Sequence, residues 1–130
     1  MNEITFQINP TLKPDAICDL RESVGWDRQE QDYPAAQNGY WATVGGFDNT
    51  GTLMAWCAIL SDSVRHAVLL DVIVHPSWQH QGIGRTLVAH AIQHIQAHNI
   101  TIIHVDFLPE KAAFYEHCGF QIGLGGIYKG

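Results

Sequence analysis

Between residues 72 and 87 a β-branched run, a short turn and two closely spaced glycines precede a helical pattern: Val72-Ile73-Val74-His75-Pro76-Ser77-Trp78-Gln79-His80-Gln81-Gly82-Ile83-Gly84-Arg85-Thr86-Leu87. The first N–H groups of a helix have no partner within it and the dipole is positive there, so such a loop is built to hold an anion, most simply a phosphate. Glycines let the backbone approach that anion closely. Two familiar phosphate loops are ruled out. A P-loop needs G-x-x-x-x-G-K-[ST], which occurs nowhere in the chain. A dinucleotide fingerprint needs a third glycine where Leu87 stands, and two mononucleotide-binding halves that 130 residues do not accommodate. Nucleotide hydrolysis and hydride transfer drop out.

Other residues invite chemistry as well. Asp71 is the single acid in the apolar run from Ala67 to Val74, which makes it either a catalytic base or a carboxylate bonded to a neighbouring strand or an arginine. His90, His94 and His98 recur at the i, i+4 spacing that suits zinc. His90 has no glutamate beside it as H-E-x-x-H requires, and the stripe borders an apolar face, so no metal is expected. Trp26, Tyr33, Tyr40, Trp41, Trp56 and Trp78 either fill the core or line an aromatic pocket.

These residues need elements to position them. With 46% apolar and 15% charged residues, a chain of 130 fits one compact domain over 1–130 that buries roughly two thirds of its unfolded surface. Ile4 to Ile8 reads as a strand and Leu12 to Val24 as a helix. Arg28 to Asn38 reads as a short helix interrupted by Pro34, and Tyr40–Phe47 with Thr52–Leu60 as a hairpin around Asp48-Asn49-Thr50-Gly51. Ala67 to Val74 has the continuous apolarity of a strand covered on both faces. A helix follows over Ile83 to Ile95, then a strand over Thr101 to Phe107, a helix from Pro109 to Cys118 and a last edge strand over Gly126 to Lys129. The order predicts an α/β fold with a mixed, mostly antiparallel central sheet flanked by about four helices.

Composition limits the partners. Thirteen acids against seven bases give a net charge of −6, which repels a phosphate backbone and disfavours nucleic acid. Cys18, Cys57 and Cys118 are scattered and odd in number, as in a reducing compartment. The polar, acidic start lacks the form of a signal peptide, and no apolar run approaches ~18 residues, so the expectation is a cytoplasmic protein with no membrane contact.

Gln79-His80-Gln81-Gly82-Ile83-Gly84 after a strand resembles the acetyl-CoA signature [Q/R]-x-x-G-x-[G/A] of the GNAT N-acetyltransferase superfamily. Downstream, Ala113-Phe114-Tyr115-Glu116-His117-Cys118-Gly119-Phe120 is similar to that family's F-Y-x-x-x-G-F segment. The resemblance implies a single-domain GNAT-like fold and acetyl-CoA as cosubstrate. It implies that Val72, Ile73 and Val74 pair with the pantetheine amides as a further strand would. His80, Gln81, Gly82, Ile83, Gly84 and Arg85 then receive the pyrophosphate, and a main-chain N–H near Ile73 meets the developing oxyanion. It makes Tyr115 the acid for the departing thiolate, with Asp71 the first candidate for the base, directly or through a water, and Glu22 and Asp106 its rivals. Where many relatives carry an asparagine after the fifth strand, this chain has Phe107-Leu108-Pro109-Glu110-Lys111.

The acceptor is read more coarsely. Asp19, Glu22, Asp27, Glu30 and Asp32 cluster where related folds cover the acceptor, and such a field favours a small cationic amine, though it also serves plain solubility. The short stretch after the second motif leaves room for a second subunit to complete the pocket in a homodimer. Other readings are a non-catalytic acyl-CoA-binding module and a protein or peptide N-acetyltransferase.

Overall fold

The computed structural model describes residues 3–33 and 35–130; Pro34, the expected interruption of the second helix, lies outside them, as do the first two residues of the polar start. The elements are β1 (Thr5–Ile8), α1 (Pro14–Ser23), α2 (Ala35–Gly39), β2 (Ala42–Phe47), β3 (Leu53–Ser61), β4 (His66–Val74), α3 (Ile83–Ala97), β5 (Ile102–Val105) and α4 (Ala112–His117). Single 3-10 turns at Pro76–Trp78 and Pro109–Lys111 lead into the last two helices. The sheet order is β1-β2-β3-β4-β5, with the first four strands antiparallel and β5 parallel to β4. This is the mixed sheet the sequence predicts.

Alternation along β3 divides the interior into two layers. Ala55, Cys57 and Ile59 face α3, where they meet Leu87, Val88, Ala91 and Ile95; Trp56 and Ala58 face α1 and its Ile17, Cys18 and Leu20. In an even strand Leu69 and Ile73 of β4, four residues apart, would share a face. They do not: Leu69 lies in the α3 layer and Ile73 in the α1 layer. A β-bulge is the cause. Trp56 pairs with Ile73 and Ala58 with Leu70, so Cys57 alone faces both Asp71 and Val72, and Asp71 takes the left-handed conformation at φ 52°.

Two expectations need correction. Residues 28–33 are turn and coil, and helix forms only over Ala35–Gly39. No strand forms over Gly126–Lys129; the segment after Gly119 is irregular and mostly exposed. Gly123, Gly125 and Gly126 supply no side chains to pack and favour the open chain entropically. The histidine stripe is an aromatic seam: His90 stacks on Phe6, and His94 and His98 pack on Trp41 of the neighbouring strand region.

Candidate functional site

Past the bulge, β4 has a partner on one side only. Its pairing with β5 ends at Leu69 opposite Val105, while pairing with β3 continues to Val74 opposite Ala55. The backbone of Val72, Ile73 and Val74 therefore presents an open strand edge on the side where β5 has departed. Ile73 is buried, and Val72 and Val74 are half-buried.

The turn leaving this edge is fixed by side chains. His75 accepts the Ser77 N–H at its Nδ1 (3.1 Å), and Gln79 Nε2 donates to the Val74 carbonyl (2.9 Å). His80 (φ 62°) and Gly82 (φ 81°) are left-handed, which turns the chain into α3. No side chain among the described residues caps that helix, and its first turn contains no acid, so its leading N–H groups keep their full pull on an anion. Gln79, His80, Gln81, Gly82 and Arg85 are exposed, Ile83 and Gly84 half-buried. The two glycines have different causes. Gly82 serves the positive φ, whereas a Cβ on Gly84 would stand 3.2 Å from the Phe114 ring of α4.

Asp71 meets a cation across the α1 layer. Arg21, whose side chain is 7% exposed, donates from Nη1 to Asp71 Oδ2 (3.1 Å) and from Nε to the Asp27 carbonyl (2.7 Å), with its guanidinium 5.3 Å from the Trp26 ring centre. The tyrosines 33 and 40 stand in the same neighbourhood with their hydroxyls 3.4 Å apart. Burial pushes both phenols up, and the Asp71 charge adds to it. The rivals for the base differ in setting: Glu22 lies exposed beside Arg28, and Asp106 is exposed just beyond β5.

Tyr115 belongs to the other layer. It is 6% exposed, packed by Phe107, Phe114 and Phe120, and burial, followed by Cys118 and Cys57, pushes its phenol up to about 12. Its hydroxyl has no hydrogen-bond partner among the described residues. Asp71 and Tyr115 thus belong to opposite layers of the sheet, with no direct bond between them. Sequence reasoning missed Arg21, although the signal was present. It falls on the apolar stripe of Ile17, Cys18 and Val24, and a cation on such a stripe needs a buried counter-charge.

Comparison with known proteins bears on the family and the fold. The Acetyltransferase (GNAT) family profile matches residues 7–120. Over 115 residues, covering 85% of this chain and 62% of the relative, the sequence is 30% identical to the uncharacterized N-acetyltransferase ycf52 of Gracilaria tenuistipitata var. liui. The chain spans about three fifths of that relative's length and under half of two others. A GNAT-family acetyltransferase from Streptococcus pneumoniae shares the fold at a TM-score of 0.81, with 22% identity and 98% of each chain covered. An aminoglycoside N-acetyltransferase solved in complex with CoA does so at 0.80, with 14% identity over 99% of this chain and 95% of that one. The chain belongs to the GNAT acetyltransferase family.

Proposed function

We propose that this chain, as one domain over 1–130, moves an acetyl group from acetyl-CoA to the primary amine of a small cationic acceptor, by direct transfer in a ternary complex. The observation that carries the reading is the open edge of β4 over residues 70–74, leading through a fixed turn into an uncapped helix. An amide-rich arm ending in a pyrophosphate suits that combination. Val72, Ile73 and Val74 offer it main-chain donors and acceptors. Gln79 holds the turn against Val74, the N–H groups from His80 to Gly84 meet the phosphates, and Arg85, which makes no ion pair among the described residues, adds a charge. Acetyl-CoA, when bound, supplies an activated acyl thioester. Asp71 takes the proton from the attacking nitrogen, the N–H near Ile73 steadies the charge on the carbonyl oxygen, and Tyr115 hands its proton to the departing sulfur.

Direct transfer is favoured because no cysteine is poised as a nucleophile: burial pushes the thiols of Cys18 and Cys118 upward and that of Cys57 up to about 12. The exposed acids Asp19, Glu22, Asp27, Glu30 and Asp32 outnumber the nearby Arg28 and would draw in an ammonium ion. Free cysteines support a reducing, cytoplasmic setting. The unpartnered outer edge of β5 and the exposed Leu124, Ile127 and Tyr128 support a homodimer.

Calorimetry with acetyl-CoA, followed by thiol release across an amine panel, tests the reading. Wild-type protein should bind acetyl-CoA and release thiol with some amines. Gly82→Val should stay folded, since apart from its chain neighbours no atom of the described residues lies within 4 Å of the added Cβ, yet lose acetyl-CoA binding as the left-handed turn is forced open. Protection against heat without thiol release from any amine would make the chain a binding module instead.

A further inference from the structure

Two histidines far apart in sequence meet on the sheet, away from the helical stripe. His66 opens β4 and His104 lies in β5; in the parallel ladder His66 stands beside Ile102 and His104 beside Val68, so the two share one face. That face is the α1 side, since Ala67, Leu69, Ile103 and Val105 turn toward α3. Both imidazoles are exposed. Their rings lie 5.4 Å apart between centres with planes inclined by 22°, and His66 Nδ1 stands 3.1 Å from His104 Nε2.

Nitrogens at that separation have two uses. As a hydrogen-bonded pair, one ring donates a proton that the other accepts, which contributes little on a solvated surface. As a chelate, they hold an ion between them. Two nitrogens about 2.0–2.1 Å from one zinc-class ion, about 90–109° apart around it, stand about 2.8–3.4 Å from each other. The observed 3.1 Å lies within that interval. The outer nitrogens, His66 Nε2 and His104 Nδ1, have no hydrogen-bond partner among the described residues, so either ring is free to carry its proton there, as ligation requires. An anion stands close by. Asp62, in the turn that leads into His66, accepts the N–H groups of Val64, Arg65 and His66 at Oδ1 (2.8, 2.9 and 3.1 Å), which hold its carboxyl down at about 2; Arg65 is the one cation of that turn. The other close pair, His94 and His98, is differently engaged: both rings pack on Trp41, and His98 Nδ1 meets the His94 carbonyl (2.9 Å).

We infer that His66 and His104 chelate one divalent ion of the zinc, nickel and copper class, and that this ion clips the edge strand β5 to β4. Imidazole suits these ions, whereas magnesium and calcium prefer oxygen. The described residues assemble no group of three ligands, so the ion keeps water at its remaining positions. β5 pairs with β4 over four residues and departs after Val105. The histidines reach across that short ladder, so the ion secures the strand whose departure opens the cleft. The inference does not depend on acetyl transfer.

The whole chain, labelled with 15N, locates the site. Substoichiometric NiCl2 should broaden amide signals most at residues 66–68 and 102–104, because paramagnetic broadening falls steeply with distance. Calorimetry with ZnCl2 should show a tightest site that is weakened at least tenfold in His66→Gln and in His104→Gln, and is unchanged in His94→Gln; MgCl2 should not occupy it. Both substitutions replace exposed rings and should leave the fold intact. Zinc should also slow amide exchange over Ile102–Val105 in the wild type and not in either of those two variants. Broadening centred on α3, zinc affinities in both variants equal to that of the wild type, or no binding at all would overturn the site. Binding at the pair with the exchange of β5 unaltered would overturn the clip.

Discussion

Tyr115 owes its suitability as an acid to the aromatic residues around it. Phe107, Phe114 and Phe120 remove water from the phenol, which disfavours the phenolate and keeps the proton in place far above neutrality. Tyr115→Phe should keep acetyl-CoA affinity and lose ~10² or more in turnover, as removal of a general acid does. The wild-type turnover should show no alkaline loss from this group below about pH 11, because a raised phenol holds its proton longer. Near-normal turnover of the variant, measured by thiol release, would remove Tyr115 from the mechanism. Asp71 is coupled to Arg21, so its substitution has two effects. Asp71→Asn leaves a nearly buried guanidinium without its counter-charge and should cost about 3 kcal/mol in urea unfolding. If Asp71 is also the base, turnover per folded molecule should fall by ~10² more. Asp71 stood out in the sequence as the one acid of an apolar strand, whereas Arg21, on an apolar helical stripe, was not singled out. Their partnership, across 50 residues, was not legible there, because periodicity reports faces and not which faces meet.

At the scale of elements, the site depends on two departures from regularity. The bulge at Asp71 and the separation of β5 after Val105 together create a strand edge with which no strand among the described residues pairs. Only the consequences of these features appear in the sequence: an extra residue in a strand leaves no mark in composition, and the only clue was one acid among valines and leucines. The helices were more legible. The apolar positions of α3 recur at helical spacing, and its start at Ile83 follows from Gly82. Where periodicity was weak, between 28 and 38, and where glycine replaced side chains, after Gly119, the expected elements shortened or did not form. Gly84 links α3 to α4. A methyl there stands 3.2 Å from Phe114, the neighbour of Tyr115, so Gly84→Ala should push the ring aside and destabilise the protein by about 1–3 kcal/mol, as overpacking does. Turnover should fall with it. Combining Gly84→Ala with Phe114→Leu should recover part of both, and strict additivity of the two changes would show that the contact is not what limits the site.

The whole molecule is two apolar layers on one sheet, and its titratable groups divide accordingly. Acids and histidines lie mostly at the surface, whereas Cys57 and Tyr115 are held in the α3 layer with no charged partner among the described residues bonded to either. The hairpin that carries β3 was legible in the sequence, but the two-layer plan was not, since every residue from Leu53 to Leu60 is apolar. Which thiol or phenol would lose most water was not legible either, since that depends on the neighbours folding brings. Both groups are pushed upward by burial, Cys57 from 9.0 to about 12 and Tyr115 from 10.0 to about 12. The sign of the consequence follows from proton counting. Above pH 9 the unfolded chain releases the Cys57 proton while the folded chain retains it, so each further unit of pH favours the unfolded state; Tyr115 joins above pH 10. The stabilisation is complete below pH 9 and is lost as pH rises toward 12. Urea midpoints should therefore hold steady through pH 8 and decline from pH 9 upward. Cys57→Ala should start from a lower midpoint, because it leaves a small cavity. Its decline between pH 9 and 10 should be shallower but not absent, since Cys18 and Cys118 are raised by burial as well. A wild-type midpoint unchanged to pH 11, or a variant declining as steeply as its parent, would mean that the α3 layer admits water to its thiol, and the case against a cysteine nucleophile would weaken with it.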